Sequence, residues 1–278
     1  MDEPSHSRTL LTLPAELRLH IFSYLLQSHK HTARALHLQS GATPSRASLC
    51  LDADYLASHH LRLLLVCRRF RDDLSALAFR HTQFLVTDIY GKIATKLNVL
   101  QPWQLENVRD IAFVAGAQQF KEMVHWRRHP FNLPDLRLES LTVVLHRSSH
   151  WHYLSNYTTD MVGLLRRLEK LQVLKFVQNA ANVKGFFKTW CNRLIGLILK
   201  VDHFQRYDAP GAPNMENSWW DWAFDDAEQS FTLTRSDPKP VLAEEEYMGF
   251  VKPAIDKLME SMEAEEEDPD PRARLMYY

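Results

Sequence analysis

The stretches "VRDIAFV" (108–114), "LESLTVV" (138–144) and "LEKLQVL" (168–174) repeat one pattern at shifts of 30 residues. Apolar residues stand at the first, fourth, sixth and seventh positions: Val108, Ile111, Phe113, Val114; Leu138, Leu141, Val143, Val144; Leu168, Leu171, Val173, Leu174. Short apolar runs of this kind read as buried strands. A fourth copy, Leu194-x-x-Leu197-x-Leu199, follows after 26 residues. Helix-like stretches lie between them: "QQFKEMVHW" (118–126), "TTDMVGLLRRL" (158–168) and "KGFFKTWCNRL" (184–194). Strand, helix, strand at this spacing fits a row of right-handed βα units. It predicts a mixed α/β fold with a parallel sheet and its helices on one side, over residues 87–235.

Beyond residue 205 the regularity stops. Turn formers precede "SWWDWAFDD" (218–226), whose Trp219, Trp220, Trp222 and Phe224 read as a cap on the last repeat; exposed, they would form a recognition hot spot. "SFTLTRS" (230–236) predicts one more strand. Pro238 and Pro240 then introduce a helix through residues 242–267, kinked or divided by Pro253, with an acidic, solvated tail in the 236–278 segment.

Toward the N-terminus, "LLTLPAELRLHIFSYLL" (10–26) predicts a helix, since Pro14 suits a first turn and Glu16 suits the positive end of the helix dipole. Its apolar residues fall on two sides. Leu17, Ile21, Tyr24 and Leu25 share one side, while Leu19, Phe22 and Leu26 lie roughly opposite. One stripe suffices for a helix at a domain edge, so the second implies burial on both sides or a docked partner. In "LRLLLVCRRFRDDLSALAF" (61–79), Leu63, Val66, Cys67, Phe70, Leu74 and Leu77 form one amphipathic stripe, with Arg62, Arg68, Arg69 and Arg71 outside it. "RHTQFLV" (80–86) then has strand character.

Together, "LPAELRLHIFSYLL" and "LLLVCRRFRDDLSALAFRHTQFLV" resemble the F-box motif in its fungal form, and the related ExR-motif domain through Glu16-Leu17-Arg18. The resemblance spans residues 10–86 and implies a helical module that docks on the Skp-type linker subunit of a cullin ubiquitin ligase while the rest of the chain captures a protein client. The positions matching the motif are Leu13, Pro14, Leu17, Ile21, Phe22 and Leu25, then Val66, Cys67 and Phe70. With Leu19 and Leu26 of the second stripe, and without Cys67, these make the expected partner-binding set. A typical F-box brings its second block about a dozen residues after the first; here Gln27 to His60 intervene, and residues 28–51 read as a flexible insert. The repeats resemble the irregular leucine-rich repeats that often follow an F-box, although Gly116, His146, Phe176 and Asp202 occupy the usual Asn or Cys position. An ordinary open α/β sheet is the alternative.

Composition narrows the function. A formal net charge of −1 argues against a nucleic-acid or membrane field, and no 18-residue apolar run occurs. Residues 1–9 read as disordered and carry no basic segment leading into an apolar one. Three widely spaced cysteines fit a reducing compartment, so a cytoplasmic or nuclear protein is expected. His146, His150 and His152, or His125 and His129, have suggestive spacings without a completing ligand, so neither metal nor cofactor is expected. No phosphate-cradle, zincin or nucleophile-elbow motif is present. The expectation is a non-catalytic adaptor. Its alternatives are an interaction protein that does not dock on the ligase, and an enzyme with an unrecognised site at the C-terminal ends of the strands.

Overall fold

The computed structural model describes residues 10–32, 35–39, 48–147, 157–181, 187–215 and 218–267. The expected disordered N-terminus, the middle of the insert, His150, His152 and the end of the acidic tail lie outside them. The N-terminal elements are α1 (Ala15–Thr32), β1 (Leu36–Gln39), β2 (Ser48–Leu51), α2 (Ala57–Leu61) and α3 (Arg68–His81). A βα succession follows: β3 (Gln83–Val86), α4 (Ile93–Leu97), α5 (Pro102–Leu105), β4 (Asp110–Ala115), α6 (Ala117–Val124), β5 (Ser140–Leu145), α7 (Thr158–Arg167), β6 (Val173–Val177) and α8 (Phe187–His203). Then come β7 (Trp219–Asp225), β8 (Ser230–Ser236) and α9 (Glu244–Glu267).

The fold is mixed α/β. Six strands form a sheet in the order β3-β4-β5-β6-β8-β7. The first four are parallel neighbours in chain order, while β8 runs antiparallel to β6 and β7 antiparallel to β8. Because β3 pairs with β4, the strand expected to finish the helical module is the first strand of the main sheet, and no boundary at residue 87 separates two units. One face of the sheet packs under α6, α7 and α8 around Trp190, whose ring lies 5.2 Å from Phe176, 6.3 Å from Phe120 and 6.5 Å from Phe231.

Three expectations change. The fourth repeat is not a strand: residues 194–199 continue α8, where Trp190, Cys191, Leu194, Ile195, Ile198 and Leu199 are buried at the three-and-four spacing of a helix. The third repeat enters the sheet three residues late, with Leu174 rather than Leu171 opposite Leu141 and Phe176 opposite Val143. An odd slip exchanges the faces, so Leu174 and Phe176 point to the core while Val173 and Lys175 are only half-buried. The insert is not simply flexible: β1 and β2 pair antiparallel, and Leu36, Leu49 and Leu51 pack on Val144 and Val177, on the sheet face away from the helices. The aromatic segment forms the outermost strand, with Trp219 and Trp220 buried and Trp220 Nε1 donating to Leu165 O at 3.0 Å, and α9 runs through Pro253 without dividing.

The insert is also tied to the sheet by hydrogen bonds. Leu49 N donates to Glu228 O at 2.8 Å, Leu51 N to Asn179 Oδ1 at 3.2 Å, and Ala35 N to Gln83 Oε1 at 3.2 Å. The Tyr55 hydroxyl donates to Gln83 O at 2.5 Å. Burial, then the Asp110 carboxylate, pushes the Tyr55 pKa from 10.0 up to about 12. A folded-state pKa above the unfolded one makes this contribution complete below pH 10 and erodes it as pH rises toward about 12. Thermal unfolding should therefore show the wild type losing stability more steeply than Tyr55→Phe over that window. Trp190→Ala should cost about 3–5 kcal/mol in denaturant unfolding, because it empties the centre of the aromatic cluster; a loss below about 1 kcal/mol would contradict this account of the core.

Candidate functional site

The N-terminal module is built on the crossing of α1 and α3. A 3-10 turn at Leu10–Thr12 leads through Pro14 into α1, and Arg18 N donates to Pro14 O at 3.2 Å. Cys67 has an extended backbone and caps α3, accepting from Phe70 N at 3.4 Å on its Sγ. The helix expected from residue 61 is thus interrupted, with α2 and a 3-10 turn at Arg62–Leu65 before the cap. Phe22 meets Phe70 edge to face at 5.0 Å, and Leu74 joins them in one cluster with Leu63, Leu64 and Leu77 alongside.

Arg18, which lies between the two apolar sides of α1, is 1% exposed. Its Nε donates to Asp73 Oδ2 at 3.1 Å, and its Nη1 donates to Leu13 O. The guanidinium therefore bolts the start of α1 to the middle of α3, and the charge is paired where it is buried.

This arrangement rotates α1 relative to the expected partner surface. Phe22 and Leu26, both 2% exposed, and Phe70, at 9%, are core residues and are unavailable to a partner. Leu19 is 37% exposed, as open as Ile21, in a groove of about 520 Å³ beside His20, Leu77 and Arg80. The opposite side is the open one: Leu17 is 51% exposed, and Ile21, Tyr24 and Leu25 are exposed with it. Leu65 and Val66, immediately before α3, are also exposed, while Leu13 is half-buried and Pro14 exposed at the helix entry. Arg62, Arg68, Arg69 and Arg71 are exposed in the same part of the chain as Val66. An exposed apolar helix face can bury itself against an apolar partner surface, and the exposed arginines of the module favour acids on that partner; the face has no chemistry of its own.

Among the described residues, several polar groups at the other candidate sites make structural contacts. At the strand ends Asn179 Nδ2 donates to Leu145 O at 3.1 Å, Arg147 Nε to Asn179 O at 3.0 Å, and Gly116 N to Gln119 Oε1 at 3.2 Å. Among the described residues no group of three His, Cys, Asp or Glu could hold a metal. His125 ends α6 and His129 precedes the next 3-10 turn, so they do not share a helix. Cys191 is buried, and desolvation followed by the Glu265 charge pushes its thiol well up, the reverse of an activated nucleophile. A buried cluster that the sequence reading missed joins Asp202, Arg206 and Tyr247. Arg206 Nε donates to Asp202 at 2.8 Å, Arg206 Nη1 to Pro240 O at 2.7 Å, and the Tyr247 hydroxyl to the same Asp202 oxygen. Its i, i+4 acid and base on α8 and the turn after it were the available signal, and its role is to hold the start of α9.

No helix among the described residues is long and apolar enough to cross a membrane. Comparison with family models, curated proteins and solved structures finds no match to the chain.

Breaking the Arg18–Asp73 pair tests the module's architecture. Arg18→Ala should cost about 2–4 kcal/mol, below the range for a fully dry pair because Asp73 retains some solvent contact. Asp73→Asn, which keeps an acceptor for the guanidinium, should cost less. A negligible cost for Asp73→Asn in chemical denaturation would mean that the charge on Asp73 does not hold α1.

Proposed function

We propose that the chain is a non-catalytic F-box-like adaptor, docking through the outer face of α1 and the exposed Leu65 and Val66 on a Skp-type linker subunit of a cullin ligase. The α/β part, with α9, would present a protein client to the transfer machinery, at work in the cytoplasm or nucleus. The observation that carries this is the exposure of Leu17, Ile21, Leu25 and Val66, positions that match the F-box motif and have no role in the chain's own core. The direct packing of Phe22 on Phe70 adds support, because the two halves of the motif meet despite the insert between them. Five or six such side chains going from half-exposed to buried would contribute roughly 1 kcal/mol each, enough to stabilise a complex before association entropy is counted.

The test uses purified chain and purified linker subunit in a titration. Leu17→Asp with Ile21→Asp, and separately Val66→Asp, should each weaken binding at least tenfold without changing the thermal unfolding midpoint, since these side chains lie outside the core. Binding of the wild type should also weaken with added salt, as exposed arginines at the rim would require. Equal binding by wild type and both variants rejects ligase docking through this face and leaves it to a different partner.

A further inference from the structure

The groove between β7 and α9 shares no lining residue with α1 or α3. We infer that it binds an extended, acidic segment of a client polypeptide, added as a strand on the outer edge of β7. Calling the ligand a client rests on the adaptor reading; the binding itself does not.

Three features of the groove lead to this ligand. First, β7 is the last strand of the sheet, so among the described residues alternate N–H and C=O groups along its outer edge have no ladder partner. Second, the groove alongside encloses about 300 Å³ with Trp219, Trp222, Phe250 and Leu199 among its walls, room for a large apolar side chain from an added strand. Phe250 is half-exposed, which a wall of a closed core would not be. Third, the groove is cationic. Lys239 and Lys257 line it against one carboxylate, Asp221, leaving two positive charges to one negative. The Lys239 ammonium stands 5.3 Å from the Trp219 ring centre and 5.1 Å from that of Phe250, held at the mouth by both rings. Nearby Lys252 is neutralised by Asp256 at 2.8 Å, but among the described residues neither Lys239 nor Lys257 has an ion-pair partner. Charge selects for acidic residues, the edge strand selects for an extended backbone, and the rings select for an apolar anchor.

The probe is a phage-displayed library of random twelve-residue peptides, panned on the full chain, with the enriched peptides then synthesised and titrated. The expected outcome is enrichment of sequences that place Asp or Glu beside a large apolar residue. Their affinity should fall at least tenfold in Lys257→Glu and at least fivefold in Phe250→Ala, and stay unchanged in Leu17→Asp. Both groove side chains are at the surface, so these variants should fold, as circular dichroism would verify. No enrichment, enrichment of basic peptides, or affinity indifferent to both groove variants overturns the inference. Loss in Leu17→Asp instead would assign the peptides to the α1 face and likewise overturn it. Failure of linker docking leaves these outcomes untouched.

Discussion

Parallel strands joined by helices on one face leave their other face to be covered by something else, and strands apolar on both faces cannot leave it wet. All six residues of β4 are buried, as are Val144 and Val177 on the side away from the helices. The hairpin within the insert covers the latter pair. This requirement gives the long segment between α1 and α2 a structural role. It also explains why the helical module and the sheet are one structure, with β3 as the first strand and the hairpin as a clasp on the second face.

The same economy governs α1. Its inner side is fixed by three contacts of different kinds: the Phe22 ring on Phe70, the buried Arg18 guanidinium on Asp73, and the chain entry through Leu13. A guanidinium occupies helix surface that a leucine might otherwise fill, and in doing so it turns Leu17, Ile21 and Leu25 outward. Orientation of the helix and exposure of the apolar face are therefore one decision, made by the ion pair.

Much of this was legible in the residues. The 30-residue repeat located β4, β5 and β6 and the intervening α6 and α7, because period-two and period-3.6 patterns were cleanly separated there. The repeat misled where it was least regular: Leu194, Leu197 and Leu199 match the strand template, yet Ile195 and Ile198 complete a helical stripe that the template ignored. β1 and β2 were missed because four-residue strands in a segment rich in Ser, Ala and His carry little periodicity, and their partners lie far along the chain. The two apolar sides of α1 were visible, but which side faces inward was not. That depended on Arg18 being buried, and a lone arginine on a helix wheel reads as solvated until an acid 55 residues later is found beside it.

The insert also fixes an order of events. Its Leu51 amide bonds to Asn179, 128 residues downstream, and its Leu49 amide to Glu228. During synthesis at the ribosome the helices α1 and α3 have all their mutual contacts available early, whereas the hairpin between them has nothing to close on until β6 and the turn before β8 have emerged. A segment made among the first is thus completed among the last: a nascent chain interrupted before Val177 carries Leu36 and Leu49 without their full cover, and one interrupted before Glu228 leaves the Leu49 amide without its acceptor.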